Sequence, residues 1–158
     1  MQPRDLVLDI GAGTGAITRR LLGAGATVIA VELHPARAAL LRDQFAADRC
    51  TVVQVDATDL RLPRRPFAVV ANPPFASITA VLRRLTAPGS RLTRADLIVP
   101  AYVARRWASY DAPGAGRWSH TFAVEVVRPL PRSAFRPPAT APTAHLAVLR
   151  RGRGSARP

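Results

Sequence analysis

Apolar and polar residues fall along this chain in two alternating rhythms: short solid apolar runs, and longer stretches with helical spacing. Leu6-Val7-Leu8-Asp9-Ile10 is a run of the first kind that ends in glycines, the pattern of a parallel strand buried on both faces. Residues 16–22 carry helical spacing and stop at Gly23 and Gly25. Residues 27–32 form a second, β-branched run, and Pro35 then opens a helix with Ala38, Leu41, Arg42 and Phe45 at helical intervals. Residues 51–55 and 67–71 predict a third and a fourth strand. Past Asn72-Pro73-Pro74-Phe75 the pattern predicts a helix over 77–85, a strand over 95–99 and a helix over 102–109. Residues 110–118, with two glycines and a proline, predict a loop. Two final strands are expected at 121–127 and 144–149, separated by a Pro-rich stretch, 129–142, without helical periodicity.

Strands that alternate with helices, and then close with two strands in succession, predict an α/β fold. The expected architecture is a Rossmann-like, doubly wound, seven-stranded sheet, mostly parallel, with an antiparallel hairpin at one edge. One catalytic domain is expected over 1–150 and a basic disordered tail over 151–158. No apolar run approaches the roughly 20 residues that cross a bilayer. The first residues, Met1-Gln2-Pro3-Arg4-Asp5, lack the basic-then-apolar layout of a secretory leader. The expectation is a cytoplasmic protein with no membrane partner. A single Cys50 excludes an internal disulfide framework and a cysteine-rich metal site, so no metal is expected.

Charge changes the picture. All 23 basic residues are Arg, a choice that GC-rich coding favours, but coding does not decide where the charges sit. Residues 1–60 hold six Arg against seven acids, a net of −1; residues 61–158 hold seventeen Arg against three acids, a net of +14. A neutral half joined to a strongly basic half suits a small-ligand site beside a polyanion-binding surface.

Asp9-Ile10-Gly11-Ala12-Gly13-Thr14-Gly15 stands where the first strand turns into the first helix. Glycine is needed there because the turn is tight and a ligand must approach the backbone. Alone, the segment leaves two ligands open. Gly11-x-Gly13-x-x-Ala16 satisfies a relaxed dinucleotide pattern, and Glu32 follows about twenty residues on, where the ribose of either NAD or S-adenosylmethionine meets an acid. Asp9, two residues before the first glycine, and Asp56, at the end of the third strand in Val55-Asp56-Ala57, favour S-adenosylmethionine. The first would lie near its methionine end, and the second would accept a hydrogen bond from its adenine.

Asn72-Pro73-Pro74-Phe75 follows the fourth strand directly. An aryl amine is a poor nucleophile because its lone pair is delocalised into the ring. The Asn72 side-chain oxygen and the Pro73 carbonyl can each accept a hydrogen bond from such an amine, fixing the nitrogen with its lone pair aimed at a methyl donor. Proline presets these oxygens. Phe75 offers a flat face to a flipped adenine and tolerates the positive charge that develops on nitrogen.

With these residues the chain resembles the Erm-type ribosomal RNA adenine N6-methyltransferases, relatives of the KsgA dimethyladenosine transferases. The similar segments are Leu8–Gly15, Ala30-Val31-Glu32-Leu33-His34-Pro35, Val55-Asp56-Ala57, Val69–Phe75, and a late stretch running from Phe135-Arg136-Pro137-Pro138 to Thr143–Val148. The resemblance implies that Gly11, Gly13, Glu32, Leu33, Asp56 and Asn72 line the cofactor site, with Asp9 and Ala57 beside them. It implies that Asn72, Pro73 and Phe75 hold the target adenine. The implied activity is methylation of an adenine in 23S ribosomal RNA by a monomer, giving resistance to macrolides, lincosamides and streptogramin B. Members usually open with a basic arm and a Gln-Asn-containing segment, and usually close with a small helical domain; neither is expected here.

Other residues have plainer readings. His34 is expected at the start of a helix, His120 and His145 within strands, Cys50 as a small core residue, and Trp107 and Trp118 in the core. Arg pairs at 64–65, 83–84, 105–106 and 150–151 are candidates for phosphate contact, and Arg83, Arg84, Arg105 and Arg106 form the expected RNA-binding set. Two enzymes of similar chemistry compete, a DNA adenine methyltransferase and a protein glutamine methyltransferase. The first needs a target-recognition region for which this length leaves no room, and the second has no use for the basic half. An RNA-binding remnant without catalysis is the rival of a different class.

Overall fold

The computed structural model describes residues 5–112, 114–136 and 138–152. Its centre is one seven-stranded sheet of β1 (Leu6–Ile10), β2 (Thr27–Glu32), β3 (Cys50–Gln54), β4 (Phe67–Ala71), β5 (Leu92–Pro100), β6 (Phe122–Leu130) and β7 (Thr143–Arg150). The strand order is β3-β2-β1-β4-β5-β7-β6. The first five strands are parallel, and β7 runs antiparallel to both its neighbours. The sheet is therefore the expected one, with its antiparallel pairings confined to one edge.

The helices are α1 (Ala16–Gly23), α2 (Pro35–Gln44), α3 (Ile78–Leu85), α4 (Ala101–Ala108) and α5 (Ala115–Trp118). The chain steps outward from β1 to β3, then returns to β4 and steps the other way. Right-handed crossovers accordingly put α1 and α2 on one face of the sheet, and α3 and α4 on the other. The β1 side chains show both faces. Leu6, Leu8 and Ile10 join Val81, Leu82 and Trp107 in the larger core cluster, whereas Val7 turns to Leu21 and Val28. In α3 the buried residues are Ile78, Val81, Leu82 and Leu85, a single apolar stripe that leaves Arg83 outside.

The chain departs from its sequence pattern in several places. β5 begins at Leu92 rather than 95, since Leu92 and exposed Arg94 still pair with β4 on either side of a bulge at Thr93. β6 continues to Leu130 through Pro129, which an edge strand tolerates because the missing donor faces solvent. Part of the expected loop 110–118 is α5, whose Trp118 stacks on Trp107 at 5.0 Å and on Tyr110 at 5.4 Å. A 3-10 turn, Phe75–Ser77, precedes α3, and another, Arg132–Ala134, interrupts the Pro-rich stretch. His120 lies in an exposed turn, not a strand. His145 lies in β7 as expected and pairs with Asp96 at 2.8 Å. Arg151, assigned to the tail, is held by its N–H on the Thr121 carbonyl at 2.9 Å, and the rest of that tail, 153–158, falls outside the described residues. Among the described residues no helix is long and apolar enough to cross a membrane.

Candidate active site

The carboxyl ends of β1, β2, β3 and β4 surround a cleft of about 650 Å³, within the range of small-ligand sites. It opens where the strand order reverses between β1 and β4, the place where open α/β sheets bind ligands. Glycine builds its floor. Gly11, Gly13 and Gly15 have φ of 78°, 58° and 85°, in the left-handed region that a side chain disfavours. The N–H groups of Gly11 and Ala12 both donate to the Val31 carbonyl, folding the loop over β2. A Cβ on Gly11 would meet Pro74 Cδ at 3.4 Å and Pro73 Cα at 3.5 Å, so this loop and the Asn-Pro loop touch. A Cβ on Gly15 would come within 2.8 Å of Phe45 and 2.9 Å of Leu41, so α2 and the residue after it pack into the space that glycine leaves.

Glu32, at the end of β2, is buried and braced from two directions. The Gly13 N–H donates to its Oε2 and the His34 N–H to its Oε1, each at 2.8 Å. His34 is the N-cap of α2, as expected. The remaining lone pairs of the Glu32 carboxylate are available to the cleft that it lines. Asp56 is half-buried, and its Oδ1 accepts the Thr58 N–H at 2.8 Å and the Thr58 hydroxyl at 2.7 Å. Those bonds hold its carboxyl below the usual carboxylate range and leave Oδ2 for a ligand. Between the acids lie Val31, Leu33, Val55 and Ala57, with Leu33 59% exposed.

Asn72 is exposed, and its side chain makes no hydrogen bond among the described residues. Pro73 beside it is buried and Phe75 is half-buried. The Ser77 N–H and hydroxyl both donate to the Pro74 carbonyl at 3.1 Å, which stiffens the turn that carries Phe75.

Of the candidate cofactor residues, Gly11, Gly13, Glu32, Leu33, Asp56, Ala57 and Asn72 all line this one cleft, as do Pro73 and Phe75. Asp9 does not. It is fully buried beneath the glycine loop, its Oδ2 accepting the Thr18 hydroxyl at 2.7 Å and its Oδ1 without a hydrogen-bond partner among the described residues. Burial pushes its carboxyl up to about 6 against the pull of the Thr18 hydrogen bonds, with a small upward push from Glu32. Sequence reasoning missed the far wall. Phe135, Pro138, Ala139, Thr140 and Thr143, from the connection between β6 and β7, also line the cleft. The stretch from Phe135 to Pro138 carried part of the family resemblance, but nothing in its pattern placed it at the cleft. Arg37 and Ser77 were missed too, both lying on helix starts facing the cleft.

The four Arg expected to meet RNA lie on two helices. Arg83 is exposed on α3, while the Arg84 guanidinium is partly withdrawn onto the Leu60 carbonyl at 3.0 Å. Arg105 and Arg106 are exposed in the last turn of α4.

The donor set fits S-adenosylmethionine. A flat apolar slot lies between two carboxylates, Glu32 and Asp56, whose charge suits a cationic ligand, and Gly11 leaves backbone bare where the ligand must come closest. Among the described residues, no group of three or more His, Cys, Asp or Glu could hold a metal ion.

A methyltransferase-domain family model matches residues 7–89. The chain is 37% identical over 134 residues to an rRNA adenine N-6-methyltransferase of Corynebacterium diphtheriae, covering 83% of this chain and 52% of that protein. It is 38% identical over 157 residues to a probable ribosomal RNA small subunit methyltransferase A of Natronomonas pharaonis, covering 92% and 54%. It is 38% identical over 135 residues to the mycinamicin-resistance protein MyrB of Micromonospora griseorubida, covering 83% and 42%. The chain thus spans about half the length of the curated relatives it matches. Among solved structures, the 23S rRNA methyltransferase ErmE superposes with a TM-score of 0.81 at 27% identity, over 96% of this chain and 64% of that one.

Proposed function

The chain belongs to the methyltransferase-domain family, with the KsgA/Erm ribosomal RNA adenine methyltransferases as its homologues, and we propose that its cleft transfers a methyl group to the exocyclic N6 of an adenine in 23S ribosomal RNA. The observation that carries this reading is the convergence of Glu32, Asp56 and the Asn72-Pro73-Pro74-Phe75 turn on one cleft. S-adenosylmethionine, when bound, supplies an electrophilic methyl group. Glu32 accepts hydrogen bonds from its ribose, and Asp56 accepts one from its adenine. The exposed Asn72 side chain and the Pro73 carbonyl accept the two N–H bonds of the target amine, so the nitrogen lone pair faces the donor. Phe75 stacks on the flipped base, and Phe135 closes the cleft from the far wall. A proton leaves the methylated nitrogen to solvent after transfer, so no strong base is needed. Residues 1–150 form the catalytic domain, and the product confers macrolide-type resistance, a reading supported by the similarity to the mycinamicin-resistance protein of Micromonospora griseorubida.

Small-subunit RNA is the second reading, favoured by the similarity that covers 92% of this chain. Both are tested by one assay. Naked 23S and 16S RNA are each incubated with methyl-labelled S-adenosylmethionine, and the labelled base is mapped by primer extension. Label on a 23S adenine is expected, and label on 16S alone selects the second reading. No label on either RNA, in a chain that binds the cofactor, overturns both.

A further inference from the structure

The end of the sheet opposite the cleft carries a feature that methyl transfer does not use. Here β4 and β5 begin, β6 begins and β7 ends, around the turn of residues 86–90. Three shallow depressions meet at this turn, each sharing Ala87 and Pro88, and Arg residues line all of them. Arg91, Arg117, Arg150 and Arg151 line one, Arg83 and Arg117 the second, and Arg64, Arg84 and Arg91 the third. No Asp or Glu lines any of the three, whereas the catalytic cleft has two acids and one Arg.

The positive charge is held in place rather than neutralised. Arg150 donates through Nε to the Leu92 carbonyl at 2.6 Å and through a second nitrogen to the Ser90 carbonyl, and its guanidinium lies 4.7 Å over the Phe122 ring. Arg151 donates to the Ser119 carbonyl at 3.1 Å and to the Tyr110 hydroxyl at 3.2 Å. Carbonyls and a ring fix these cations without cancelling them. Arg83, Arg91 and Arg117 remain exposed beside them and make no ion pair among the described residues. The turn itself offers little bulk, for a Cβ on Gly89 would meet nothing within 4 Å.

We propose that this acid-free arginine pole is a second RNA-binding surface, which grips the phosphate backbone of a segment distant from the target adenine. The partner is the same RNA strand system that the proposed function places in the cleft, and the inference rests on that reading for the partner's class. The two ends are separated by the length of β5, which runs nine residues from Leu92 at the pole to Pro100, whose partner Thr143 lines the cleft. At about 3.3 Å per residue this is roughly 30 Å. An RNA must be long enough to span that distance to use both ends. Delocalised guanidinium forks suit backbone contact, which anchors RNA without reading its sequence.

The test replaces Arg91 and Arg117 together with Gln, leaving Arg150 and Arg151, which brace the strands. The unaltered chain and the variant are compared for affinity to a large ribosomal RNA fragment across a salt series. Methylation of a short adenine-containing oligonucleotide, too short to reach the pole, is measured in parallel. The variant should bind the fragment at least tenfold more weakly, with the slope of log K against log salt reduced by about 1.5. Activity on the oligonucleotide and affinity for S-adenosylmethionine should be unchanged. Equal fragment affinity and slope in the two proteins would overturn the pole, whether or not either methylates RNA. Loss of fragment affinity without any methylation would uphold the pole and sink the catalytic reading instead.

Discussion

Glu32→Gln separates two jobs that the structure gives to one carboxylate. The unaltered side chain accepts the Gly13 and His34 N–H groups, one on each oxygen, and still has lone pairs facing the cleft. An amide keeps one acceptor and turns an NH₂ toward the other donor. One charge-assisted hydrogen bond is then lost from the fold, about 1.5–3 kcal/mol. In a chain of this size each kcal/mol lowers Tm by about 2–4 °C, so the ligand-free variant should melt about 3–12 °C lower. The ribose hydroxyls lose a charged acceptor as well. That second loss, again about 1.5–3 kcal/mol, should weaken S-adenosylmethionine roughly ten- to hundredfold. Differential scanning calorimetry reads the first effect and titration calorimetry the second. Unchanged Tm would refute the bracing of the glycine loop by Glu32. Unchanged affinity in a folded variant would refute its contact with the cofactor.

Three further outcomes follow from other residues. The folded-state pKa of Asp9, about 6, lies above its ordinary value, so its ionised form favours unfolding. Without ligand, the contribution of Asp9 to stability should therefore fall as pH rises from about 4 to 6. The stability of Asp9→Asn relative to the parent should climb by about 3 kcal/mol over that window, and a flat difference in denaturant titrations would contradict the assignment. Asn72→Ala should abolish methyl transfer and Phe75→Ala should cripple it, with Phe75→Tyr active and circular dichroism unchanged in all three; full turnover by Asn72→Ala would sink the proposed amine contact. Trp107 is fully buried and stacked on Trp118, so Trp107→Ala should cost about 3–5 kcal/mol in urea unfolding, and a loss below about 1 kcal/mol would mean that the stack contributes little.

The sequence showed the parallel half of the sheet well because its inner strands β1 and β2 are largely buried on both faces, so their runs are almost wholly apolar. β1 reads LVLDI with every residue buried. The antiparallel edge was read less well. β6 has a mostly exposed second half and a proline, so its last three residues looked like loop. The helix at 115–118 has no periodicity of its own; Gly114 and Gly116 argue against it, and the stacking of Trp118 on Trp107 is a tertiary contact that no local pattern records. At the candidate site, motif residues on strand ends were legible because their spacing follows the strand–turn–helix rhythm. Asp9 carried the right residue type but lies one layer too deep, since it belongs to the strand and not to the turn. Phe135 was out of reach for the opposite reason: an irregular connection of more than ten residues can return anywhere.

That connection has a consequence for how such a chain can change over generations. Every residue that contacts the proposed methyl donor stands on β1 to β4 or the turns beside them, with Gly11, Gly15 and Glu32 locked against their neighbours. The wall facing the acceptor instead hangs between β6 and β7 at the sheet's outer edge. Insertions or replacements there move no strand that binds the donor. On the proposed reading, the donor contacts and the outer wall of the acceptor pocket therefore lie on separable stretches, and selection can retune that wall while the donor site and the Asn72–Phe75 turn stand still.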